Sequence, residues 1–137
     1  MPVGSNQMRH CLIDQNGGNL TVLLYANKAL RAGADFKLFE DNSGDSILNF
    51  KMAAGDTGVG SHELSISMIS NKSKLVWQIL CCSLVSTIDS GMVAVQILQN
   101  GVPCPMTKSA QWDLTGVPDC RTGEAIPINA SLIFLYK

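Results

Sequence analysis

The sequence predicts an all-β protein, an antiparallel β-sandwich of about eight strands with little or no helix. Three observations carry this. Apolar and polar residues alternate with period two in several segments, as a half-buried strand requires. Turn-forming residues recur at a spacing of roughly 8–12 residues, the rhythm of a sandwich or barrel. Helical periodicity is confined to two short stretches, Asn27–Ala32 and Ser109–Leu114, each long enough for one turn only.

The elements follow in chain order. Arg9–Gln15 and Asn19–Ala26 are strand candidates separated by Gln15-Asn16-Gly17-Gly18. Asp35–Glu40 and Ser46–Met52 are separated by Asp41-Asn42-Ser43-Gly44, where Asn and Gly supply positive φ. In Ser46–Met52 the residues Leu48, Phe50 and Met52 share one face. Gly55 to Ser61 reads as a long mobile connection. In His62–Met68, Leu64, Ile66 and Met68 alternate with Glu63, Ser65 and Ser67. Lys74–Ser83 is an apolar strand that places Trp77 in the core. Gly91–Gln99 is apolar on both faces, so it is expected to be central or covered. Asn100-Gly101 follows it directly and signals a hairpin. Val102–Met106 holds two prolines and makes a poor strand. Ala125–Ala130 fits an edge because Pro127 cannot donate to a ladder, and Ser131–Tyr136 is the terminal strand.

Residues 1–137 are expected to form a single sandwich domain. A chain of this length buries about two-thirds of the surface its unfolded form exposes, enough for one core. The order strand, turn, strand, loop and strand from Asp35 to Met68 is echoed from Val93 to the last strand. This predicts two related β-units packed face to face, although chance likeness between β segments accounts for it equally.

Composition narrows the function class. Hydrophobic residues make up 46% of the chain and charged residues only 15%, which excludes a disordered chain. Ten Lys and Arg are matched by eleven Asp and Glu, so nucleic acid is not an expected partner. The longest apolar stretch, Leu75 to Val85, is too short to span a bilayer, which takes roughly 20 residues. Met1 to Asp14 holds no apolar run of the signal-peptide kind, so the default compartment is the cytoplasm, with leaderless export left open.

Five cysteines without a leader do not read as a disulfide framework. Cys81 and Cys82 are expected to be small buried residues on opposite faces of a strand. Cys104 and Cys120 bracket a loop-like segment and form the candidate disulfide of an oxidising compartment, two free thiols being the alternative.

No motif asks for a cofactor, and neither His10 nor His62 lies in a metal-ligand spacing. Glu40, Asp41 and Asp45 surround a turn but lack the ligand spacing of a calcium loop. Gly55-Asp56-Thr57-Gly58-Val59-Gly60 lacks the Lys-Ser/Thr ending of a phosphate loop. No Gly-x-Ser-x-Gly elbow is present. The segment from Pro103 to Gly123 is the most distinctive. There Trp112 can stack on a sugar while Asp113, Asp119 and Arg121 bond its hydroxyls, or Trp112 can instead cap the open end of the sandwich.

The leading expectation is a non-catalytic module that binds a protein partner, a second copy of itself or a glycan. One alternative is a small hydrolase-type enzyme with a dispersed site drawn from His62, Cys104 and Asp113. Another is a structural or inhibitory partner protein.

Overall fold

The computed structural model describes residues 8–41, 44–86 and 90–137. Among these residues ten strands form two packed sheets. They are β1 (His10–Ile13), β2 (Leu20–Ala26), β3 (Leu30–Phe39), β4 (Leu48–Gly55), β5 (Gly60–Leu64), β6 (Lys74–Ser83), β7 (Gly91–Gln99), β8 (Val102–Pro103), β9 (Gln111–Leu114) and β10 (Ile126–Tyr136). The first sheet has the order β1-β10-β6-β3-β4. The second has the order β5-β2-β7, and the far edge of β7 is shared by β8 and β9. All pairs are antiparallel except β1 with β10. The all-β sandwich read from the sequence is therefore the fold. Among the described residues, no helix is long and apolar enough to cross a membrane.

The two halves of the chain do not form separate units. Each sheet draws strands from both halves, so the internal echo does not correspond to two face-to-face β-units. Long-range pairing decides this, because β3 takes both β4 and the distant β6 as neighbours.

Several elements differ from their sequence readings for local reasons. Within Asn27–Ala32, Asn27–Leu30 is a tight turn, not a helical one, and the rest is strand. Leu30 N donates to Asn27 O at 2.9 Å, and Asn27 Oδ1 accepts from Met92 N at 2.6 Å. The strand then begins at Leu30, five residues before Asp35. Gln111–Leu114 is strand β9, because the edge of β7 offers it a ladder. The alternation of His62–Met68 stays extended only to Leu64, after which Ile66–Met68 forms a 3-10 turn. Gly55–Ser61 is a short connection that turns the chain from the first sheet into the second. Gly55 must be glycine, since its φ is 112° and a Cβ would run into the Leu30 carbonyl oxygen. The residues 125–136 form one strand rather than two. Pro127 lies in the half of β10 that pairs only with β6, so its missing N–H costs no ladder bond. Asn100 and Gly101 have φ of 54° and 75°, as a two-residue type I′ hairpin needs. Asn42 and Ser43 of the Asp41–Gly44 turn lie outside the described residues.

The core is a spine of rings. Register places Phe36 opposite Phe50 on β4 and opposite Trp77 on β6. Phe36 stacks on Phe50 at 4.9 Å and meets Trp77 at 5.7 Å. His62 of β5 covers Phe50 at 4.0 Å, and Trp112 of β9 stands edge-on to Trp77 at 6.2 Å. The second sheet thus grips the first from both of its own edges. Arg9 closes the spine, its guanidinium carbon 5.1 Å from the centre of the Trp112 ring. Each ring pair adds about 0.5–1.5 kcal/mol beyond area burial.

Candidate functional site

Where β8 ends, the chain leaves the edge of β7 and returns to it at β9. Cys104 N donates to Ile97 O at 2.8 Å on the way out, and Val95 N donates to Ala110 O at 2.8 Å on the way back. Two prolines, Pro103 and Pro105, prevent a continuous ladder here. The excursion reaches across the rim of the sandwich to β1 in the other sheet. Leu12 N donates to Pro105 O at 2.9 Å, and Thr107 N donates to His10 O at 3.0 Å. His10 N adds a bond to Thr107 Oγ1 at 3.0 Å. One segment therefore closes the open side between the sheets.

Beside this segment, the outer face of the second sheet forms a groove of about 560 Å³. Leu23 and Tyr25 of β2 and Met92 and Ala94 of β7 pave it, with Val59 and Met106 on its rim. Strand alternation turns these residues outward, while Val22, Leu24, Val93 and Val95 point into the core. Tyr25 is 39% exposed and Val59 57%. The outer face of the first sheet differs. It presents Asp35, Lys37, Asn49, Lys51 and Gln78 to solvent, with Lys51 Nζ 3.9 Å from Asp35 Oδ1. The sequence marked β7 as apolar on both faces. Leu23 and Tyr25 were legible by the same signal, since Leu20–Ala26 is apolar at nearly every position.

Of the four residues proposed from sequence as a ligand platform, Trp112 and Asp113 lie on β9, and Asp119 and Arg121 lie at the 3-10 turn Cys120–Thr122. Trp112 is 6% exposed and belongs to the core spine, so no ring is offered for stacking there. Asp113 lies on the outward face of β9, opposite Met92. Asp119 and Arg121 bind each other. Arg121 Nη2 donates to Asp119 Oδ2 at 2.6 Å, and Arg121 N donates to Asp119 Oδ1 at 2.9 Å. Asp119 thereby caps the 3-10 turn Cys120–Thr122. The Arg121 side chain and backbone bonds hold the Asp119 carboxyl below its ordinary range.

The candidate disulfide is corrected. Cys120 joins Cys82, with Cα atoms 4.9 Å apart, and Cys104 is a free thiol. The reason is tertiary. Pro118 O accepts from Ser83 N at 2.7 Å, which lays the segment before Cys120 along the end of β6. Cys82 is consequently a bridged residue rather than a small buried one, while Cys81 stays buried and free. Cys104 instead meets Cys11, a fully buried residue of β1 that the sequence did not single out.

The dispersed enzyme site is not gathered. His62 belongs to β5 and Cys104 follows β8, at opposite edges of the second sheet. Three strand spacings of roughly 4.8 Å separate them by about 14 Å. His62 is committed to its stack on Phe50.

Comparison with protein-family models, with curated proteins and with solved structures gives no match.

Proposed function

We propose that the chain is a non-catalytic interaction module that docks a second copy of itself through the outer face of the β5-β2-β7 sheet. The observation that carries this reading is the contrast between the two outer faces. One carries Asp35, Lys37, Lys51 and Gln78 beside the exposed Leu80, and the other gathers Leu23, Tyr25, Met92 and Ala94 around the groove, with Gln96, Ser109 and Gln111 among its lining. A contiguous apolar face gains free energy when it leaves water, at about 25 cal/mol per Å². A second copy suits it because a formal net charge of −1 imposes almost no repulsion between like chains. Pairing about a two-fold axis lets the same patch cover itself.

Sedimentation velocity on the full chain up to high micromolar concentration tests this. The expected result is a monomer–dimer equilibrium that Leu23→Lys or Ala94→Lys shifts to monomer, with unchanged circular dichroism. A strict monomer throughout that range overturns self-association.

A glycan reading stands second. It is favoured by the shallow depressions on the other outer face, where Asp35, Lys37, Gln78 and Asn129 stand among apolar groups. These groups can bond hydroxyls, but the lining holds no outward aromatic ring for a sugar to stack on. A glycan array without hits removes this version and leaves the first intact.

A further inference from the structure

Cys11 lies on β1 and Cys104 just after β8, two strands that are not neighbours in either sheet. The excursion after β8 brings them together. Cys11 pairs with Met106 across an antiparallel bridge, flanked by the bonds of Leu12 to Pro105 and of His10 to Thr107. Cys104, two residues before Met106, is then the diagonal neighbour of Cys11 on the same face. The bridge register thus brings the two thiols side by side. Cys11 is fully buried, whereas Cys104 is half-buried and lines the groove.

We propose that Cys11 and Cys104 are a redox site, in which Cys104 attacks a small disulfide such as oxidised glutathione and Cys11 resolves the product into an internal disulfide. The two positions differ in the way such a pair needs. Cys104 is half-buried in the wall of the groove, and Cys11 is fully buried. The neighbouring Cys11 and the charge of Lys137 pull the Cys104 thiol down against its burial. The neighbouring Cys104 and burial push the Cys11 thiol up, so of the two Cys104 is the readier nucleophile. The third free thiol, Cys81, is pushed up to about 11 by burial and stays inert.

The electrons balance in two exchanges. The Cys104 thiolate attacks one sulfur of oxidised glutathione, forming a mixed disulfide and expelling a glutathione thiolate, which takes a proton. Cys11 then releases its proton and attacks the Cys104 sulfur, expelling the second glutathione. The net result is one new protein disulfide, two thiols oxidised and one small disulfide reduced to two thiols. The closed bridge ties the excursion to β1 and fixes Met106 on the rim of the groove. Because the small disulfide enters by the groove, the exchange takes place on the chain while the groove is uncovered.

The test treats the native chain, with its Cys82–Cys120 bridge intact, with oxidised glutathione. Acid quench, alkylation and peptide mapping by mass spectrometry then locate each thiol. The expected result is a fall from three free thiols to Cys81 alone, a peptide linking Cys11 to Cys104, and no retained glutathione. Cys11→Ser is expected to retain one glutathione on Cys104, and Cys104→Ser to keep its remaining thiols. Amide exchange over residues 104–110 is expected to slow after oxidation of the wild type. Glutathione retained on wild-type Cys104, a bridge from Cys104 to any other cysteine, or equal reactivity of Cys104→Ser overturns the proposal. The wild-type peptide map decides the matter even if a variant fails to fold.

Discussion

Phe36 lies with Phe50 on one side at 4.9 Å and Trp77 on the other at 5.7 Å, and it is fully buried. Truncation to alanine leaves a hole between two rings that strand register holds in place, so the site cannot collapse. Phe36→Ala is expected to cost about 3–5 kcal/mol, read as a lower urea midpoint with an unchanged slope. At Asp119 the effect is one of charge. Its folded carboxyl titrates below the ordinary value of 3.8 because Arg121 binds the ionised form. Such a group contributes stability that is fully present above the unfolded value and is lost as pH falls through the folded one. Asp119→Asn keeps a capping oxygen and loses the charge. The Tm difference between wild type and Asp119→Asn is expected to be constant near neutral pH and to shrink below about pH 4. Alternation assigned Phe36, Phe50 and Trp77 to strands from sequence, but it could not show that their rings touch, because register belongs to pairs of strands.

At the scale of elements, two connections show how side chains fix strands. Gln99, buried at the end of β7, holds the β1–β2 turn. Its Nε2 donates to Asp14 O at 2.8 Å and to Gly18 O at 3.0 Å, and its Oε1 accepts from Asp14 N at 2.9 Å. Gln99→Leu removes three bonds to part-buried backbone groups and is expected to cost about 1–3 kcal/mol, with faster amide exchange at Asp14. The Cys82–Cys120 bridge closes a 38-residue separation. Chain entropy for a loop of that size predicts a loss of about 4 kcal/mol in the Cys82→Ser/Cys120→Ser double variant, read as a lower Tm. The type I′ turn at Asn100-Gly101 was legible from two residues, since it needs only local φ values. The cysteine pairing was not legible, because which thiols meet depends on how a loop is laid across the sheet.

For the whole molecule, the two outer faces set the behaviour. Docking through Leu23, Tyr25, Met92 and Ala94 is apolar, and net charge is near zero. Raising salt from low to about 0.5 M is therefore expected to leave the dimer constant unchanged or slightly tighter, checked by sedimentation. A two-fold or greater loosening contradicts apolar docking. Most of the ladder joins residues far apart in sequence, as when β2 pairs with β7 and β6 with β10.

Sequence alone determined most of the strands, the Asn100-Gly101 turn and the burial of Trp77, because each follows from local φ preference or from side-chain alternation. It also marked β7 as apolar on both faces, which is half of the groove floor. Only the tertiary structure decided that Trp112 joins the core spine, that Asp119 and Arg121 bind each other, and that Cys120 meets Cys82 while Cys104 meets Cys11. The physical reason is shared. A side chain's type fixes what it can bond, but its partner is chosen by strand order and by the route of the excursion after β8. Those are settled by closing the two sheets over a common core, a balance among distant segments that no short window of sequence contains.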